Sequence, residues 1–343
     1  MSEIVLAEES ELSTNLDRRP PQESVDRATA YGIRAFSQNT HRTYEANWRV
    51  FRAWCARHGL EALPATPPTV AAYLGDLAGG VVPAKLAEIE RVGWDAAPKL
   101  ARRPSSVAGH VTAIYHFHTI NDLVSPTRTK AIELVVDGIR NTHGTVRTKK
   151  APILSEMLVA VTARASVRDR ALILLGFAGA FRRSELVVEI ELGDIEEKPE
   201  GLLIHLRHSK GDQAGKGVYV RIPRGAPETC PVAAVIALRK TLSEQSVVDG
   251  PLFRSVSRNQ SRGRPLSTNS VATIVKRLVE AAGFDPAEFA GHSMRAGFVT
   301  SAARAGRTFP GIMEQTRHKK SDTVLEYIRT EGSWASHAGK GLL

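Results

Sequence analysis

Residues 291–329 read GHSMRAGFVTSAARAGRTFPGIMEQTRHKKSDTVLEYIR. His292 and Arg295 stand three positions apart, which on a helix puts both on one face, and an imidazole beside a guanidinium can hold one oxyanion. His318 follows downstream, and Tyr327 comes nine residues later among Val324, Leu325 and Ile328, a pattern that predicts a helix packed against a core. Taken singly, these residues demand no chemistry: an H-x-x-R pair is more often chance or a satisfied core histidine, and a tyrosine in an apolar pattern is often structural. The stretch becomes informative through what lies upstream of it.

Working outward, residues 182–186 read RRSEL directly after the apolar run Ala171 to Phe181. A guanidinium there is expected on a buried helix end, and an ion pair between Arg182 and Glu185 is its plainest role. Leu202 to Arg207 (LLIHLR) and Val218 to Ile222 (VYVRI) are β-rich runs joined by a turn with Gly211, Gly215 and Gly217, which predicts a β-hairpin with Lys210 just past its first strand. The spacing predicts helices around Ser155 to Arg164 and Val167 to Val188 before the hairpin. After it the chain is expected to return to helix, broken at Gly250-Pro251, Arg262-Gly263, Gly283 and Gly306. The acidic run from Glu189 to Glu200 reads as a solvated face.

The first half is helical by period. Ser37, Asn39 and Thr40 offer N-caps to a helix carrying Tyr44, Trp48, Phe51 and Cys55 and stopping at Gly59; a second starts near Thr66 and ends at Gly79-Gly80; a third runs from Pro104; a fourth follows Pro126 with Ile132, Val135, Val136 and Ile139. Residues 1–27 lack either apolar period and are expected to be a disordered tail. Residues 142–151, ending in Lys149 and Lys150, are expected to be a basic linker. This divides the chain into a helical domain over 28–141 and a second domain over 152–343, mainly α with one small antiparallel sheet.

Composition agrees with two cores, since a single hydrophobic core stops growing at roughly 250–300 residues and the chain has 343. Forty-six Lys and Arg against 36 Asp and Glu give a formal charge of +10, which points to an acidic partner without choosing nucleic acid over an anionic surface. Two cysteines, Cys55 and Cys230, lack metal-site spacing, so no structural metal and a reducing, cytoplasmic setting are expected; Cys55 reads as core. No run reaches the ~18 apolar residues of a membrane span.

Arg182 in RRSEL, Lys210 in a hairpin turn, His292-x-x-Arg295, His318 and Tyr327 in LEYIR resemble, in type, order and spacing, the active-site set of the tyrosine recombinase (phage integrase) family. The likeness runs from about Ile153 to the C-terminus, and the stretches 291–329 and 36–60 resemble the Cre-like members in particular. His318 departs from those members, which carry Trp there, but agrees with most of the family; the DNA target of the Cre-like members therefore cannot be assumed. The resemblance implies a helical core-binding domain and an α-rich catalytic domain closing on DNA as a C-shaped clamp. It implies a site-specific recombinase, forming a homotetramer on double-stranded DNA with inverted-repeat sites and using neither metal nor nucleotide cofactor.

It also assigns roles: Arg182 and Arg295 clamp the phosphate, His318 donates to it, Tyr327 is the nucleophile, His292 the base, Lys210 the acid in preference to Lys216, and Glu185 orients. Two cations with planar forks suit charge that develops on nonbridging phosphate oxygens. His41, Arg42 and Arg49 on the first helix, with Lys149 and Lys150, are candidate DNA contacts, though each is also what a solvated helix face looks like. The rival readings are a DNA-binding protein that has lost catalysis, and another tyrosine-using DNA enzyme of the type IB topoisomerase or telomere-resolving kind.

Overall fold

A computed structural model describes residues 21–144, 150–207, 217–257, 260–318, and 321, 324 and 325. The chain divides into two compact units, Met1–Arg147 and Thr148–Leu343.

The first unit holds α1 (Gln22–Arg34), α2 (Gln38–Arg57), α3 (Pro67–Gly79), α4 (Leu86–Ala96), α5 (Pro104–Thr119) and α6 (Lys130–His143). Ser37 and Thr66 accept the Thr40 and Thr69 amides, and Pro67 and Pro104 occupy first turns, where a missing N–H costs nothing. Gly80 ends α3 at φ 76°, and a Cβ there would lie 2.8 Å from the Ala101 amide nitrogen, so both conformation and space require glycine. Phe51, Tyr73, Leu74, Leu77, Ile114 and Ile132 fill the core between these helices. Cys55 is buried among them, as expected of a core residue, and burial pushes its thiol up to about 11.

Three features of this unit differ from the sequence reading. α1 covers part of the expected disordered tail from Gln22 on; residues 1–20 lie outside the described residues. Its stretch is held by local polar pairs, Gln22 to Asp26 at 2.8 Å and Arg27 to Glu23 at 3.7 Å, which leave no apolar period to read. α4 was not anticipated: it buries no residue completely, resting only Leu86 and Trp94 on the core, and it kinks at Gly93. α6 continues to His143, two residues into the expected linker.

The second unit comprises α7 (Leu158–Thr162), α8 (Val167–Ala178), a wide helical turn at Glu185–Glu189, β1 (Ile195–Lys198), β2 (Gly201–Leu206), β3 (Val218–Pro223), α9 (Pro231–Glu244), β4 (Arg254–Ser257), β5 (Gln260–Pro265), α10 (Thr268–Ala281), α11 (Ser293–Arg304) and α12 (Phe309–Thr316). Ala171 through Leu175 of α8 are all buried, the pattern of a helix covered on every side, and α9, α11 and β3 pack around it. Burying each of its large aliphatic side chains contributes about 1.5–3 kcal/mol.

The helix expected to run from Val167 to Val188 is interrupted. α8 stops at Ala178, and Ala180 adopts φ 44°, so residues 179–182 form a corner, and helical backbone resumes at Arg183. The predicted hairpin is β2 with β3, paired from Gly201–Pro223 to Leu206–Val218. The acidic run contributes an unanticipated third strand, β1, whose Ile195 is buried while Glu196 and Glu197 face solvent at the sheet edge. A second antiparallel pair, β4 with β5, corrects the expectation of helix alone after the hairpin; its Arg, Ser and Gln content carries too little β-propensity to announce it.

α11 is pressed onto the start of the unit. A Cβ at Gly297 would fall 1.7 Å from the Ile153 carbonyl oxygen, and the Ile153 amide donates to Ser293 O at 2.9 Å. Met294 packs against Gly176 of α8. These contacts bring the first turn of α11 to the corner at residues 179–182 and the helical turn that follows it. Val324 is buried with Val299 and Ile312, whereas Tyr327 and Ile328 of the expected helix lie outside the described residues. Among the described residues, no helix is long and apolar enough to cross a membrane.

Candidate active site

Three backbone features assemble the site: the corner after α8, the first turn of α11 and the end of α12. Just past the corner, Glu185 is buried and accepts from the Arg182 amide at 2.9 Å and from Arg182 Nη1 at 2.5 Å. Nη2 and Nε of Arg182 have no partner among the described residues. The ion pair foreseen as the plain role of Arg182 is present, and it engages Nη1 of the guanidinium.

From α11, Arg295 is almost wholly buried. Its Nη1 donates to Ala180 O at 2.5 Å, and its Nη2 donates to Thr316 O and stands 3.1 Å from His318 Nε2. Ala180, the residue whose carbonyl accepts here, is the one with the positive φ at the corner. Next door, a Cβ on Gly291 would collide with the Arg183 stem at 2.1 Å, so the RRSEL segment and the GHSMR turn adjoin directly. His292 is the N-cap residue of α11, with its side chain exposed.

The end of α12 supplies His318. A guanidinium can only donate, so Arg295 Nη2 gives a hydrogen to His318 Nε2, and the ring proton sits on Nδ1. Nδ1 donates to Thr316 Oγ1 at 2.8 Å, and that hydroxyl donates to Ile312 O at 2.7 Å. Burial, then Arg295, Arg182 and Arg317, pull the His318 pKa down to about 4, so the ring is uncharged at neutral pH.

Arg317, which the sequence reading did not single out, joins this arrangement from the end of α12. It sits in the left-handed region at φ 56°, and its Nη1 donates to Gly179 O and Gln315 O, at 3.0 and 2.7 Å. Its Nη2 donates to Ala180 O at 3.3 Å and Glu185 Oε2 at 2.9 Å. Burial pushes the Glu185 carboxyl up, but Arg317 and Arg182 outweigh it and hold the group below the usual carboxylate range. The only hint in the sequence is adjacency to His318, since nothing in a linear pattern tells a buried arginine from a surface one.

The structure thus brings Arg182, Glu185, Arg295 and His318 into one cluster and places His292 beside it. Lys210 and Tyr327 lie outside the described residues, as does Lys149. Of the candidate DNA contacts, Arg42 is exposed, Arg49 is paired with Glu90, His41 packs edge-on against Phe36 at 5.9 Å, and Lys150 Nζ donates to Ala287 O at 2.7 Å. Chemically, the cluster holds three guanidinium groups, an uncharged imidazole against one of them and one buried counter-charge, an arrangement suited to a phosphate diester.

Comparison with known proteins points the same way. The sequence model of the Phage integrase family matches residues 153–332. An integrase/recombinase xerD homolog of Selenomonas ruminantium is 40% identical over 302 residues, covering 85% of this chain and 82% of that one. Recombinase cre of Escherichia phage P1 is 25% identical over 320 residues, covering 86% and 85%. In fold, the chain resembles a lambda integrase dimer bound to a COC' core site (TM-score 0.53, 14% identity, 96% and 87% coverage). It also resembles XerH site-specific recombinase bound to palindromic difH substrate in a post-cleavage complex (TM-score 0.51, 13% identity, 78% and 69% coverage). With the family model spanning over half of the chain and a relative sharing two residues in five across most of its length, this protein belongs to the phage integrase family and is a tyrosine-type site-specific recombinase.

Proposed function

We propose that the chain cuts and rejoins double-stranded DNA by transesterification through Tyr327, conserving the bond energy in a 3′-phosphotyrosyl ester and exchanging strands through a Holliday junction. Arg182 and Arg295 hold the nonbridging oxygens of the scissile phosphate. A free phenol has a pKa of ~10, so attack is assisted by His292 as base and by the surrounding positive charge. Lys210 protonates the departing 5′-oxygen. Glu185 holds Arg182 in place.

His318 enters with the substrate. An arriving phosphate competes for Arg295 Nη2, which frees Nε2, and its negative charge raises the His318 pKa so that the ring can donate to the same oxygens. The reaction proceeds without a metal or nucleotide cofactor, on a homotetramer bound to inverted-repeat arms, with His41, Arg42, Arg49, Lys149 and Lys150 contributing DNA contacts. Two free, buried cysteines suit a cytoplasmic setting.

The observation that supports this reading best is the convergence of Arg182, Glu185, Arg295 and His318 from distant parts of the chain onto one cluster. The test is whether purified protein, with EDTA present, forms an SDS-resistant covalent complex on duplexes recovered by binding from a random-sequence pool. A complex that is lost in Tyr327→Phe while DNA binding persists is expected. A complex that survives Tyr327→Phe, or none on DNA that the protein binds, overturns the assignment.

A further inference from the structure

We propose that Arg317 is a positioning residue for cleavage: it ties the two phosphate-holding arginines to one another. The proposal rests on the transesterification reading above and adds to it a residue that neither the motif set nor the family comparison assigns. Arg182 and Arg295 share no direct bond, yet each is bound to a group that Arg317 also holds. Glu185 bridges Arg182 and Arg317 through its two oxygens, and the Ala180 carbonyl accepts from both Arg295 and Arg317. One guanidinium therefore sets the spacing of the other two, by way of a carboxylate on one side and a carbonyl on the other.

The surroundings of Arg317 explain why the link is stiff. Its side chain is 9% exposed, stacked over the Phe181 ring at 5.0 Å, and its four Nη contacts span the corner after α8 and the end of α12. The same backbone turn that seats Arg317 presents the next residue, His318, to Arg295. The left-handed φ at this position is normally taken by glycine, so a bulky cation is retained there at a conformational cost.

Glycine substitution separates the side chain from the turn, because Arg317→Gly suits the left-handed backbone and removes the whole side chain, guanidinium and stem together. Among the described residues, the charged groups facing His318 are Arg295 from α11, Arg182 and Glu185 from the segment after α8, and Arg317 from its own segment. Removing one of the three cations raises the His318 pKa from about 4, whereas Arg317→Lys keeps the charge but cannot hold Glu185 and Ala180 O together.

The experiment measures single-turnover covalent-complex formation, DNA affinity and the His318 titration by NMR for wild type, Arg317→Gly and Arg317→Lys, with Tyr327→Phe as the blank. Misplacing reacting groups by about an ångström costs on the order of 100-fold in rate, so Arg317→Gly is expected to cleave at least ~30-fold more slowly with DNA affinity within ~3-fold of wild type. The His318 pKa is expected to rise in Arg317→Gly and to stay low in Arg317→Lys, which recovers the rate only in part. The proposal is overturned if Arg317→Gly cleaves like wild type, loses rate only in step with DNA affinity, or leaves the His318 titration in place. Should Arg317→Gly fail to fold, Arg317→Lys decides: wild-type cleavage by that variant overturns the link. If wild type itself forms no covalent complex on bound DNA, the Tyr327 reading falls and this proposal with it.

Discussion

Gly297→Ala tests how tightly the active-site helix is seated. The added methyl would lie 1.7 Å from the Ile153 carbonyl oxygen and 2.5 Å from its carbonyl carbon, both backbone atoms that no rotamer change can move. α11 and the segment at residue 153 must therefore separate by about an ångström. That displacement stretches the Ile153 amide bond to Ser293 O at 2.9 Å and the Ser155 amide bond to Ser301 Oγ at 3.0 Å. Each is worth about 1 kcal/mol, and overpacking adds about 2 kcal/mol. Alanine returns about 1 kcal/mol in helix propensity. The net expectation is about 3 kcal/mol of destabilisation, which for a unit of this size lowers Tm by about 6–12 °C.

Differential scanning calorimetry on the full chain reads this directly, and the loss should fall on the transition of the second unit. Because Arg295 stands in the same helix, cleavage at a permissive temperature should fall as well. A Tm equal to or above wild type would refute the reasoning, since it would mean that propensity wins and that α11 is not held against residue 153.

Three further outcomes follow from the same geometry. Glu185→Gln leaves Arg317 and Arg182 without their buried counter-charge and should cost about 3 kcal/mol in a denaturant titration; a change within error of zero would mean the ion pairs are idle. His318 should remain uncharged at pH 6, with its proton on Nδ1, by NMR of the ring nitrogens. Its folded pKa of about 4 lies below the ordinary 6.5, so the unfolded chain takes up the proton first, and the stability linked to this group is present above about 6.5 and lost as pH falls toward 4. Titration near 6.5 in the folded protein would contradict the Arg295 contact. In the first unit, Tyr73 donates or accepts at 2.8 Å with His110 Nδ1 in a dry setting. Tyr73→Phe should therefore destabilise that unit by about 1–2 kcal/mol in thermal melts, and an unchanged melt would show that the pair contributes nothing.

The elements that were legible in advance are those whose cause is local. Ser37, Thr66, Pro67 and Pro104 start helices because caps and first turns are satisfied within three residues. The β2–β3 hairpin is readable because branched and aromatic residues flank a glycine-rich turn. The residues of the cluster were legible for a different reason: Arg182, Glu185, Arg295 and His318 each sit in a short pattern whose order along the chain survives the folding that brings them together. α1, α4, β1 and the β4–β5 pair were not legible, since polar pairs, partial burial or weak β-propensity leave little periodic trace.

Sequence by itself therefore determined the helical character of both halves, the strands of the hairpin and the short motifs whose Arg182, Glu185, Arg295 and His318 meet in the cluster. Tertiary structure alone decided that Ala180 turns its carbonyl toward Arg295, that the proton of His318 rests on Nδ1, and that Arg317 is a buried link rather than a surface charge. The physical reason is that a helix start or a turn is settled by neighbours a few residues away, whereas the partner, the protonation state and the burial of a charge depend on which distant segments the core presses against it.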